Sequence, residues 1–101
     1  MDNVAYLIKY EYVPDDLQQR VPVEKRRTII FVSQESITRQ EWNTAGQGGH
    51  KPQMMLKTNH INYSGERVAE VDGVLYDIYR SYQPPGSDEV ELYLELKAGV
   101  Q

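Results

Sequence analysis

Apolar and polar residues alternate with a period of two through most of this chain, and that pattern predicts β-strands. It is clearest in residues 89–96, where Val90, Leu92, Leu94 and Leu96 face one way and three glutamates and a tyrosine face the other. Six such segments are predicted, at residues 4–12, 26–37, 54–63, 67–71, 74–83 and 89–96.

The connections between these segments carry turn residues. Asp72-Gly73 alone joins the fourth and fifth segments, and this pair favours a tight hairpin because both residues tolerate positive φ. A polar stretch bounded by Pro14 and Pro22 predicts a loop at residues 13–22. In the first segment the even positions, from Val4 to Tyr12, are apolar, so we expect them to form its covered face.

The alternation breaks between the second and third segments. Thr38 and Glu41 have the spacing of a capping box, in which a hydroxyl and a carboxylate satisfy each other's backbone N–H groups. One or two helical turns are therefore predicted at residues 41–45, ended by Gly46. Residues 47–52 have no period and contain two adjacent glycines, which predicts a mobile loop. The sequence is compatible with two roles for Trp42: it docks against a partner, or it folds back onto the domain as a lid.

Together these features predict a mainly β fold, a small six-stranded antiparallel β-barrel. A long inserted loop, with a short helix possible within it, lies between strands 2 and 3. Closure into a barrel hides the strand edges that otherwise invite aggregation. A chain of 101 residues supports one core, so residues 1–101 are predicted to form a single domain with a radius of gyration of about 13 Å.

The composition excludes several classes of protein. The chain has no cysteine, which rules out a disulfide framework, a thiol nucleophile and thiolate metal sites. Its net charge of −4 contrasts with the excess of Lys and Arg that dedicated DNA-binding proteins carry. The longest apolar run, residues 29–32, is too short to span a bilayer, and the acidic N-terminus lacks the features of a signal peptide. We therefore expect an intracellular protein.

No set of residues has the spacing of a catalytic or metal site. His50 and His60 are the only histidines, and neither has a second histidine at metal-ligand spacing. Glu89, Glu91 and Glu95 alternate along one strand, which is typical of a solvated strand face. No serine lies in a nucleophile-elbow pattern. The sequence therefore predicts a protein that is not an enzyme and needs no metal or other cofactor.

A small β-barrel binding module for nucleic acid or a peptide is the alternative function. The basic cluster at residues 25–27 and the eight tyrosines of the chain are compatible with a stacking platform. Against it, the acidic total and the acidic last strand interrupt any continuous track for phosphates.

The order of the motifs resembles the small head-completion proteins of tailed bacteriophages, also called head closure, stopper or head-tail joining proteins. The resemblance covers residues 4–100 and depends on order and spacing. Its elements are Thr38-Arg39-Gln40-Glu41-Trp42, then Lys51-Pro52, Tyr63-Ser64-Gly65-Glu66, the run Gly73-x-x-Tyr76-x-x-x-Arg80 and the closing Glu91-Leu92-Tyr93-Leu94-Glu95.

The resemblance implies a virion structural protein at the head-tail junction, assembled in the cytoplasm of the host bacterium. Subunits of this family form a ring, with twelve copies expected, below the portal or an adaptor ring. The ring retains the packaged double-stranded DNA, which passes through without sequence-specific binding, and it presents the surface on which a tail-completion or tail terminator protein docks. No membrane partner is implied.

The resemblance and the residue pattern together give three sets of candidate site residues. The channel or gating loop is predicted to comprise Asn43, Thr44, Ala45, Gly46, Gln47, Gly48, Gly49, His50 and Lys51. The anchor of that loop, or an interface, is predicted at Glu41, Trp42 and Pro52. A subunit interface is predicted at Tyr6, Tyr10 and Tyr12.

Overall fold

The computed structural model describes residues 2–97, with Asp2 described by its backbone alone. All six predicted strands are present, and one helix interrupts them. In chain order the elements are β1 (Asp2–Pro14), β2 (Arg20–Glu35), α1 (Arg39–Gln47), β3 (Pro52–Asn59), a 3-10 turn (His60–Asn62), β4 (Val68–Val71), β5 (Val74–Tyr82) and β6 (Glu89–Leu96). No helix in residues 2–97 has the length and apolar character needed to cross a membrane.

The six strands form a closed antiparallel barrel in the order β1-β2-β3-β6-β5-β4. The pairings differ in length. β1 and β2 pair from Asp2↔Ser33 to Pro14↔Arg20, whereas β1 meets β4 only at residues 6–8. β2 in turn meets β3 only at residues 33–35. The predicted mainly β fold is confirmed, and one hairpin is much longer than the contacts that close the ring.

One apolar cluster fills the barrel, and it contains residues from all six strands. Leu7, Leu56, Leu92 and Leu94 are fully buried within it. Burial of each such side chain contributes about 1.5–3 kcal/mol. The remaining buried members are Ala5, Ile30, Val32, Ala69, Val71, Ile78 and Val90. In β6 the alternation correctly predicted three inward residues, whereas Leu96, at the strand end, is 56% exposed.

The prediction that the even face of β1 is covered is wrong. Ala5 and Leu7, at odd positions, point into the core, while Val4 is exposed and Tyr6 is half-buried. Ile8 is buried as well but lies outside the core cluster. The even positions carry Val and Tyr, whose apolar surface produces the same sequence pattern as a buried face. The small side chain of Ala5 adds little hydrophobic signal to the odd positions, which are the ones that face the core.

The predicted loop at residues 13–22 is wrong for half of its length, because β1 and β2 continue through residues 13–14 and 20–22, and residues 15–19 alone lie outside strands. Residues 10–14 pair with residues 20–24, and in the described chain neither segment has another strand beside it. We call residues 10–24 the arm. Pro22 is accommodated opposite Tyr12 because the arm has two free edges, and proline is tolerated on an edge strand. The radius of gyration, 14.5 Å, exceeds the expected value, and the longest dimension is 46 Å.

The Asp72-Gly73 hairpin between β4 and β5 is confirmed. Asp72 has φ of 51° and Gly73 has φ of 81°, so both residues are left-handed, as a type I′ turn requires. The third strand ends earlier than predicted. Residues 60–62 form a 3-10 turn that begins where the Asn59 side chain accepts the N–H of Ile61.

The insertion between β2 and β3 is mostly helical, which corrects the predicted long loop. Helix α1 continues through Gly46 to Gln47, so Asn43 and Thr44 lie in regular structure. The irregular parts are short, at residues 36–38 and 48–51. The helix ends at Gly48, whose N–H returns to the carbonyls of Ala45 and Gly46.

Candidate functional site

The candidate site is helix α1, the turn that follows it, and the side chains of β5 and β6 that bind this inserted segment. Thr38 caps the helix, and its side chain accepts the N–H of Glu41 at 3.1 Å. The other half of the predicted capping box is absent, because the Glu41 carboxylate turns toward the barrel. Ala45 is the residue of α1 that is buried. The start of the helix is therefore capped by Thr38 and attached to the barrel by Glu41.

Glu41 binds two neighbouring residues of β5. Its Oε2 accepts the hydroxyl of Tyr79 at 2.8 Å, and its Oε1 accepts Nη2 of Arg80 at 2.6 Å. The Glu41 side chain is 11% exposed and that of Arg80 is 42% exposed. We call the contact of Glu41 with Tyr79 and Arg80 the clamp, and it attaches the first turn of α1 to β5.

The clamp continues onto β6. The guanidinium of Arg80 lies 4.0 Å from the ring centroid of Tyr93, within the range of a cation–π contact. The hydroxyl of Tyr93 in turn donates to Oε1 of Glu91 at 2.6 Å. Thus the outer face of β6 is a hydrogen-bonded surface, and Glu91 is engaged where the sequence predicted a solvated carboxylate.

The other end of the insertion is fastened by His50. Its Nδ1 lies 2.6 Å from Oε2 of Glu95, and its ring stacks on Tyr79 with centroids 4.6 Å apart. The N–H of Lys51 also donates to Glu95, at 3.3 Å. Pro52 follows as a buried residue that pairs with Glu95 across β3 and β6. Both ends of the inserted segment are therefore attached to one face of the barrel.

The contacts of the clamp shift the ionisation of its members. Burial opposes ionisation of Glu41, but the hydrogen bonds from Arg80 and Tyr79 outweigh it and hold the pKa of the carboxyl below its ordinary value. The hydrogen bond to Glu41 raises the pKa of Arg80. Burial, followed by the bond to Glu41, raises the pKa of Tyr79. Burial and the bond to Glu91 raise the pKa of Tyr93 to about 12. At neutral pH the clamp is thus an ion pair framed by neutral tyrosines.

The remaining candidate residues of the insertion face solvent. Trp42 is 52% exposed, so it is not a lid packed onto the barrel. Asn43, Thr44 and Lys51 are exposed as well. The exposed backbone of Gly48 and Gly49, the latter with φ of 87°, forms the turn between α1 and β3. The inserted segment therefore exposes Trp42 and its neighbours to solvent, while Glu41 and His50 attach it to the barrel.

The three tyrosines of the predicted subunit interface lie on the outer face of β1. Tyr6 and Tyr10 are half-buried and Tyr12 is 61% exposed. Arg27 lies 5.3 Å from the centroid of the Tyr6 ring and is itself paired with Glu70 at 2.8 Å. This face is accessible, as an interface requires.

Sequence reasoning missed Tyr79 and Tyr93 as site residues. Both lie in alternating strands, where an outward tyrosine is ordinary and carries no signal of a long-range contact. Arg80 does belong to the Gly-x-x-Tyr-x-x-x-Arg run, which was the available clue. In residues 2–97 no group of three or more His, Asp or Glu side chains could hold a metal ion.

No protein-family model, no curated protein and no solved structure matches the chain.

Proposed function

We propose that this chain is a head-tail connector subunit of a tailed bacteriophage, forming a ring below the portal that retains packaged DNA and receives the tail. The observation that carries the proposal is the insertion between β2 and β3, fixed to the barrel at Glu41 and His50 with its outer surface exposed. The order of sequence motifs supports the same assignment.

A channel ring needs a rigid frame and a segment that reaches the channel. The closed barrel supplies a frame in which every strand has two neighbours. Residues 43–51 of the inserted segment are the part that would line or close the channel. It carries few charges, with Lys51 and His50 at its end, so it would border DNA without a strong grip on phosphates.

A connector subunit is also enclosed by other proteins, and an exposed apolar row supports this. Phe31 is 81% exposed and Ile29 is 57% exposed on the outer face of β2. Val4 and Tyr6 lie directly opposite them on β1. Contiguous apolar surface of this kind marks protein–protein contacts, and a ring subunit needs such contacts with the portal and the tail.

Electron microscopy of particles from the parent phage, with this gene deleted, tests the proposal. We expect intact tails beside tailless heads that have lost their DNA. Complementation with the unmodified gene should restore tailed particles. Normal, infectious, tailed particles from the deletion would overturn the connector function and favour the binding module.

A binding experiment separates that alternative directly. A nucleic-acid module should bind plain duplex DNA with an affinity that falls steeply as salt rises. The connector subunit, as a free chain, should show no such binding. Fluorescence anisotropy of a labelled duplex at several salt concentrations measures the difference.

A further inference from the structure

We propose that copies of this chain join head to tail. The turn at residues 15–19, at the tip of the arm of one copy, docks in a groove that lies beside the arm of the next copy. The inference rests on the ring assembly proposed above, and it names the two surfaces that would form each contact.

The groove lies between the arm and residues 65–68, and its volume is about 600 Å³. Its apolar part is formed by Ile8 and Val68, with Tyr10, Tyr12 and Pro22 along the arm. Ile8 and Val68 are buried at the floor of the groove and lie outside the barrel core, so its accessible apolar surface comes from the arm, chiefly from the exposed Tyr12 and Pro22. A groove of this size and lining accepts one apolar side chain together with the backbone that carries it.

The rim of the groove carries unmatched positive charge. Lys9 and Arg67 are exposed and have no acidic partner within 4.0 Å among the described residues. Lys97 is paired with Asp77 at 3.6 Å. Glu66 is 4% exposed, and its carboxylate is turned inward to accept a backbone N–H. The groove therefore selects an occupant that combines an apolar side chain with negative charge.

The tip of the arm has that combination in a preformed shape. The carboxylate of Asp15 accepts the N–H groups of Leu17 and Gln19 at 2.9 and 2.8 Å, and Gln18 has φ of 63°. The turn thus holds Leu17 outward, where it is 75% exposed, beside the exposed Asp16. Little conformational entropy remains to be lost on docking, because these hydrogen bonds already order the turn.

The contact must form between copies, because the turn does not line the groove of its own chain. Tip-to-tip pairing is disfavoured, since it would bring the acidic pairs at residues 15–16 together. A contact between two different surfaces is heterologous, and repeated heterologous contacts close into rings or extend into filaments. This geometry is the one that a connector ring needs.

Disulfide trapping tests the contact in the full chain, which has no cysteine of its own. The trap variant carries Gln19→Cys in the turn and Ser64→Cys beside Gly65 of the groove, both exposed, which leaves Asp16, Leu17, Lys9 and Arg67 in place. The matched control carries Gln19→Cys and Gln53→Cys, since Gln53 is exposed but lies away from the groove. Both proteins are oxidised at the same high concentration and separated on non-reducing gels.

We expect the trap variant to form covalent chains of three or more copies about tenfold faster than the control, which corresponds to about 1.4 kcal/mol of preference. Adding Leu17→Ser or Arg67→Glu to the trap should return its rate to that of the control. Circular dichroism of each variant confirms that the barrel is intact.

Two results would overturn the contact: linking of the trap at the control rate, or dimers formed equally fast by Gln19→Cys alone. The particle experiment with the deleted gene is independent of both. Loss of tailed particles together with a negative trap would retain the connector function and remove only this contact.

Discussion

The carboxylate of Glu41 and the guanidinium of Arg80 lie 2.6 Å apart, although 39 residues separate them in the chain. The contact attaches α1, the only α-helix among the described residues, to β5 and directs Arg80 over the ring of Tyr93. The N–H of Glu41 also donates to the capping hydroxyl of Thr38, so the same residue joins the start of the helix to the barrel.

Glu41→Gln should destabilise the protein by about 1–3 kcal/mol, because it leaves Arg80 without its charged partner. In a domain of this size each kcal/mol corresponds to a shift in Tm of about 4–8 °C. Thermal denaturation followed by circular dichroism measures the change. Glu24→Gln is the control, since Glu24 pairs with Arg27 at an exposed site. An equal loss of Tm in both variants would contradict a special role for the clamp.

The contribution of the clamp should depend on pH. The pKa of Glu41 lies below its ordinary value of 4.5 in the folded protein, so its ionisation adds stability above that value. This stability is lost as pH falls through the folded pKa. The difference in unfolding free energy between wild type and Glu41→Gln should be constant from about pH 7 to about pH 5 and should shrink below about pH 4. Urea titrations at several pH values measure it, and a constant difference at acid pH would refute the prediction.

Two glycines should respond in opposite directions to alanine. Gly73 has φ of 81°, so Gly73→Ala should cost about 1–2 kcal/mol of stability. Gly46 lies inside helix α1 with open space around its Cα, so Gly46→Ala should add about 0.5–1 kcal/mol. Chemical denaturation of both variants tests the pair. Destabilisation by Gly46→Ala would show that the helix is not formed at that residue in solution.

Two leucines of β6 should differ in the same way. Leu92 is fully buried in the barrel, so Leu92→Ala should cost about 2–5 kcal/mol. Leu96→Ala should change the stability by about 0.5 kcal/mol or less, because that side chain is 56% exposed. Urea midpoints provide the comparison. Similar losses would mean that Leu96 is covered in solution, for example by another copy.

Local patterns predicted the strands well where burial on one face dictated the residues. β6 was predicted with its bounds, and the Asp72-Gly73 turn placed β4 and β5 side by side. The sequence failed where a contact joins distant segments. The capping spacing found Thr38 and Glu41, but nothing near Glu41 in the chain indicates that its carboxylate binds Tyr79 and Arg80.

The arm escaped prediction for a different reason. Pro14 and Pro22 usually interrupt strands, and their presence indicated a loop. Both prolines are tolerated because each strand of the arm pairs with one other strand. The opposite edge of each strand has no partner, so the backbone N–H that proline lacks is not needed there. A pattern along one chain cannot show whether a strand lies at an edge.

The construction of the arm also has a mechanical consequence. A force that pulls the tip along the strand direction is transmitted through both strands of the arm into the barrel. There, residues 6–8 pair with β4 and residues 33–35 pair with β3, so the force loads these pairings in shear. A sideways push meets only a two-stranded ribbon, which is weak on its own. The arm is therefore stiff in tension and compliant in bending, so in the proposed contact it would follow small tilts of the neighbouring copy without releasing it.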